Sequence, residues 1–117
     1  MSGMTVIHAQ DISEAGIPSI IAKAREIVGD GPTYLSFDID CLDPAYAPGT
    51  GTPEVGGLTT REAMALIRGM KGVNLVGADV VEVAPAYDLT TNTAQNGAQM
   101  LFEILSLLQF SPALPKK

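Results

Sequence analysis

The sequence predicts an α/β fold with a mainly parallel sheet, and three observations carry that expectation. Strand-like apolar runs alternate with segments of helical periodicity, the order of βαβ units with right-handed crossovers. The apolar fraction is 46% and the charged fraction 17%, which suits strands buried on both faces and excludes a disordered chain. Asp40 and Glu82 fall near the carboxyl ends of two such strands, where parallel sheets bind their ligands.

Taken in order, Thr5 to Ala9 is a short apolar segment that reads as a strand or strand end. A helix follows from about Ser13 to Val28, with Ile17, Ile20, Ile21, Ala24, Ile27 and Val28 as its buried stripe, and Gly29-Asp30-Gly31-Pro32 stops it. Thr33 to Asp40 is the next strand. Its alternation puts Tyr34, Ser36, Asp38 and Asp40 on one face and Leu35, Phe37 and Ile39 on the other. Residues 41–58 form a loop without regular structure, long enough to point to function. Thr59 caps a helix that runs to about Met70, with Glu62 as its capping-box partner, and Gly72 breaks it. Asn74 to Val83 is a second buried strand, Pro85 to Thr91 a loop, and about Thr93 to Leu108 a closing helix. Residues 111–117 are expected to fray, which leaves 1–110 as the folded part.

At 117 residues the chain is one domain or part of one. A net charge of −6 argues against a nucleic-acid partner and is compatible with a cationic substrate. The lone cysteine, Cys41, cannot form an internal disulfide and lies beside acidic residues that disfavour its thiolate; it reads as a small buried filler. No signal or transit segment opens the sequence, and the apolar run from Met100 to Phe110 is too short for a membrane span and carries Glu103. A soluble, cytoplasmic protein without a membrane partner is expected, or a mitochondrial one if an upstream transit segment was lost.

The chemistry concentrates in two places. Asp38 and Asp40, two apart in an extended strand, project side by side, and two such carboxylates repel each other unless a divalent cation is shared between them. Oxygen donors of this kind suit manganese or magnesium. An Asp-x-Asp at a strand end also serves simply to cap turns or bond loop amides. Glu82 lies among Val80, Val81, Val83 and Ala84, where a buried glutamate needs a cationic partner or must be held protonated. Glycines 49, 51, 56 and 57 would let a loop backbone approach a small ligand closely. Asp43 before Pro44 reads as a turn-former, Glu54 as solvent-facing, and Asp79 as an anchor for a loop or helix. His8, the single histidine, reads as structural.

The full string Ser-Phe-Asp-Ile-Asp-Cys-Leu-Asp-Pro-Ala-Tyr-Ala-Pro-Gly-Thr-Gly-Thr-Pro-Glu-Val-Gly-Gly-Leu-Thr, residues 36–59, resembles the signature loop of the ureohydrolases, the arginase and agmatinase family. Gly-Ala-Asp-Val-Val-Glu-Val-Ala-Pro-Ala-Tyr-Asp, residues 77–88, resembles that family's next strand, and both blocks are nearer the agmatinase branch. The resemblance implies a partial three-layer αβα, ureohydrolase-like fold, with this chain as its C-terminal part. It implies a manganese-dependent hydrolase of a linear guanidino compound, such as agmatine cleaved to putrescine and urea, at a binuclear Mn2+ centre. Asp38 and Asp40 match two of the family's metal ligands and Glu82 its guanidinium-binding glutamate. Arg25, Arg61 and Arg68 are the alternative partners for Glu82. Thr52 either contacts substrate or bonds its own turn, and Ser36 either orients a ligand carboxylate or packs within its strand.

The family's other ligands come from Gly-Gly-Asp-His and Asp-Ala-His-x-Asp segments, neither of which occurs here. The chain is therefore expected to be a C-terminal fragment, inactive alone. The alternatives are a non-catalytic oligomerisation or partner-binding protein, or half of a split enzyme. A homo-oligomer or an N-terminal complementing segment is the expected macromolecular partner.

Overall fold

Pro18 sets the first boundary in the structure, a computed structural model that describes residues 3–115. A single helix from Ser13 to Val28 would drive the proline ring against the Glu14 carbonyl and leave that carbonyl without its donor. The chain forms two helices instead, α1 (Ala9–Ala15) and α2 (Ile17–Val28), with Gly16 between them at φ 81°. The expected strand at Thr5 to Ala9 is also absent. This stretch has no regular structure as far as Ile7, and the His8 backbone N–H then donates to the Asp11 carboxylate at 2.9 Å to start α1. In α2, Ile20 is buried, but Ile27, at the margin of the expected stripe and in the last turn, is 50% exposed. Gly69 lets α2 pack closely on the next helix, because a Cβ there would lie 2.5 Å from Ile21 Cδ1.

Strand β1 (Thr33–Asp38) is shorter than its alternation indicates, since Ile39–Cys41 turns into a single 3₁₀ turn. Helix α3 (Thr60–Arg68) carries the expected capping box: the Glu62 N–H donates to Thr59 Oγ1 at 3.1 Å, and the Thr59 N–H to Glu62 at 3.0 Å. Strand β2 (Leu75–Val81) stops two residues before the expected Val83, because Glu82 takes φ 68° and leaves the extended conformation. A 3₁₀ turn at Pro85–Tyr87 leads to α4 (Asn92–Leu108).

β1 and β2 pair in parallel, with the loop and α3 as their crossover. Phe37, Ala78 and Val80 pack with Met100, Ile104 and Leu107 of α4, while α3 packs on α4. A helical layer therefore covers one face of a parallel α/β sheet, and Tyr34 and Ser36 are exposed on the opposite face. Arg68 ties the two helices with a forked pair of hydrogen bonds to buried Glu103, at 2.6 and 2.9 Å. Beyond α4, Ser111, the first residue of the segment expected to fray, is buried and donates to the Leu75 carbonyl at 2.8 Å. Residues 116–117 lie outside the described residues. Among the described residues, no helix is long and apolar enough to cross a membrane.

Candidate metal centre

The two aspartates meet through a turn rather than along a strand. Asp38 ends β1, and its carboxylate accepts the Asp40 N–H at 3.0 Å, capping the 3₁₀ turn. That turn brings the Asp40 carboxyl beside the Asp38 carboxyl, so the expected pairing holds by a different geometry. Partial burial pushes the Asp38 carboxyl above its ordinary range, against the lowering effect of the Asp40 amide. The charge on Asp40, a hydrogen bond to its carboxyl and the charge on Glu82 all push the same way. Glu82 is thus close enough to bear on Asp38, which places three acidic side chains in one neighbourhood.

Among the described residues the ion pair is Arg68 with Glu103, and no Lys, Arg or His bonds Asp38, Asp40 or Glu82. Arg25, a candidate partner for Glu82, donates instead to the carbonyls of Gly69 and Lys71 at 3.0 and 2.8 Å. Glu82 is exposed rather than buried, because its positive φ turns the chain out of β2 one residue after the strand ends. Donor chemistry fits a hard divalent cation in part: the Asp38 and Asp40 oxygens are of the right kind. Among the described residues, however, no group of three or more His, Cys, Asp or Glu is arranged to hold a metal.

Thr52 reaches across the loop and donates from Oγ1 to Asp40 Oδ2 at 2.8 Å, so its hydroxyl orients a carboxylate and does not bond its own turn. Ser36 donates to Asp79 Oδ1 at 2.6 Å and has no bond to Asp38 or Asp40. Asp79 anchors the neighbouring strand, accepting also from Tyr34, where a loop or helix contact was expected. Cys41 is half-buried, and burial followed by the charges on Asp38 and Asp40 pushes its thiol up to about 12. It is no nucleophile at neutral pH.

The loop itself is better ordered than its composition indicates. Leu42 and Leu58 form a parallel bridge, and the Asp43 carboxylate accepts the Ala45 and Gly56 N–H groups at 2.9 and 3.0 Å, the turn role expected of it. Two of its glycines serve packing within the protein and not ligand approach. A Cβ on Gly49 would lie 2.5 Å from Asp88 Cβ, and one on Gly57 would lie 2.6 Å from the Asp43 nitrogen. Gly51 and Gly56 face open space. The Gly49 N–H donates to buried Thr93 Oγ1 at 2.7 Å, and the Ala84 N–H donates to the Gly49 carbonyl at 2.8 Å. These bonds dock the loop after β1 onto the loop after β2, which sets Thr52 and Asp40 on the same side as Glu82. Sequence reasoning passed over Thr93 and Asp88; an Asp shortly before a helix was the available signal, since Asp88 accepts the Thr93 and Ala94 N–H groups at 3.4 and 3.2 Å. A groove of about 580 Å³ on α3, lined by Tyr46, Met64, Arg61 and Arg68 among others, includes none of the three acidic residues.

Residues 1–106 match the family model described as Arginase family. A guanidinopropionase of Pseudomonas aeruginosa is 56% identical over 111 residues, which cover 95% of this chain and 35% of that protein. An agmatinase of an Enterobacter species is 56% identical over 104 residues, covering 89% of this chain and 34% of that protein. Among solved structures, one described as a hypothetical agmatinase from Burkholderia thailandensis superposes with a TM-score of 0.88 at 51% identity, over 92% of this chain and 34% of that one. The chain thus spans about a third of the length of the relatives it matches.

Proposed function

This chain belongs to the arginase family, and we propose that it carries one side of a manganese-dependent hydrolase site for a linear guanidino compound, agmatine being the favoured substrate. The observation that carries this reading is the set of Asp38, Asp40 and Glu82 carboxylates gathered with no basic side chain bonded to them among the described residues. Asp38 and Asp40 would hold the metal. When bound there, a divalent cation makes water acidic enough to act as a nucleophile near neutral pH.

The chain's own residues supply the setting. Thr52 fixes the Asp40 carboxylate through one of its oxygens. Glu82, turned outward and without an ion-pair partner among the described residues, presents two oxygens to the planar fork of a guanidinium, a match of shape as well as charge. The open backbone at Gly51 leaves room beside them. Relatives described as acting on agmatine and guanidinopropionate support a substrate with that group at one end of a short chain.

A complementing polypeptide is favoured by α4, whose Leu101, Phe102 and Leu105 are 42%, 63% and 57% exposed. Urea release from agmatine in the presence of Mn2+ tests both parts. The chain alone is expected to release none. Co-expressed with the remaining part of an agmatinase relative, it should release urea, and Glu82→Gln and Asp38→Asn should abolish that release. Robust turnover by the chain alone would overturn its incompleteness, and full activity of complemented Asp38→Asn would overturn the ligand assignment.

A further inference from the structure

β2 changes which of its faces is buried partway along its length. Leu75 is buried in the core, yet Ala78 and Val80, both an odd number of residues away, also pack against that core. In an unbroken strand Ala78 and Val80 would lie on the face opposite Leu75. The switch occurs at a bulge: Thr33 pairs with Leu75, but Tyr34 pairs with Gly77, so Val76 has no partner and is 58% exposed. Past the bulge, Ser36 stands opposite Asp79, and Asp38 opposite Val81. Without it Tyr34 would meet Val76, Asp38 would meet Val80, and Asp79 would turn toward the core on the Leu75 face.

Three contacts immediately past the bulge exist only in the observed register. Tyr34 donates its hydroxyl to Asp79 Oδ2 at 2.9 Å, and Ser36 donates to Asp79 Oδ1 at 2.6 Å. The Tyr34 ring lies on Gly77, where a Cβ would come within 2.9 Å of Cε2. Two hydroxyls of β1 therefore grip both oxygens of one β2 carboxylate. The apolar pattern of β2 does not decide the register by itself: Ala78 and Val80 can fill one face, and Leu75, Gly77 and Val81 the other.

We infer that Asp79 is a positioning residue: clasped by Tyr34 and Ser36, it fixes the bulged register and so sets Glu82 beside Asp38. A slip of one residue moves Glu82 along the strand by about 3.3 Å and reverses the faces of β2. The register is independent of any ligand, whereas its value to the site rests on the roles given above to Asp38 and Glu82.

Cross-strand NOEs in the isotopically labelled full chain read the register directly. The wild type should connect Asp38 with Val81 and Ser36 with Asp79. Asp79→Leu, which places an apolar side chain at this position, should give a slipped register with Asp38 against Val80. Asp79→Asn, whose amide accepts from one hydroxyl and donates to the other, should restore the native set. Added Mn2+ should broaden the amide signals of both Asp40 and Glu82 in the wild type, and in Asp79→Leu the broadening at Glu82 should be lost while that at Asp40 persists. The native register alone in Asp79→Leu overturns the proposal. If that variant unfolds, Tyr34→Phe/Ser36→Ala removes both donors and keeps the ring, and an undiminished native register there overturns it equally. Absence of Mn2+ broadening from the wild type would refute the metal reading and leave the NOEs to decide the clasp.

Discussion

Burial and the neighbouring carboxylates disfavour ionisation of Asp38, and the pH dependence of stability follows from that. Its carboxyl is raised above the ordinary range first by burial, so the unfolded chain gives up this proton more readily than the folded one. The folded state therefore loses stability as pH rises from the ordinary aspartate pKa of about 3.9 up through the raised value of Asp38. Asp38→Asn keeps an acceptor for the Asp40 N–H and removes the charge. Thermal melts without metal should show this variant with a higher Tm than the wild type at pH 7 and an equal one well below pH 3.9, approximately where both side chains are neutral; equal melting temperatures at both pH values would contradict the account. At this scale Asp38 and Asp40 were legible as a pair, because motif and chemistry coincide there; the Thr52 bond to Asp40 was not, since it depends on how the intervening loop folds back. The outward turn of Glu82 was not, since glutamate seldom adopts φ of 68° and nothing local announces it.

Among the elements, those with their own start signals were legible. Thr59 and Glu62 cap α3 as their spacing indicates, and Thr59→Ala should cost about 1 kcal/mol in urea denaturation, the usual worth of such a cap. No loss of stability would mean that tertiary contacts and not the capping box hold that end. The break between α1 and α2 was obscured because the apolar stripe that marks the helix, Ile17 to Val28, lies wholly within α2, and periodicity does not register the N–H that Pro18 lacks. The 3₁₀ turn at Ile39–Cys41 was hidden for a similar reason. Its residues continue the strand alternation, and the deciding contact, the Asp40 amide on the Asp38 carboxylate, is one that alternation does not see. The β2 bulge depends on Tyr34 and Ser36 in another strand, so no window along β2 reveals it.

Across the whole molecule, the parallel pair and its helical layer put the two loops that follow β1 and β2 on one side, docked through Gly49, Ala84 and Thr93. That placement makes one neighbourhood of Asp38, Asp40, Thr52 and Glu82, residues up to 44 positions apart. The order of strands and the family resemblance made this much legible. That the carboxylates would lack part of their ligand set was legible too, from the absent Gly-Gly-Asp-His and Asp-Ala-His-x-Asp segments; that α4 would carry the open apolar surface was not. On the proposed reading, Asp38 and Asp40 form the metal-holding side of the site. Titration of the chain with Mn2+ at neutral pH, followed by the EPR signal of the free ion, tests it most directly. Binding by the wild type should be saturable and weaken more than about tenfold in both Asp38→Asn and Asp40→Asn; binding by either variant equal to that of the wild type would contradict the assignment.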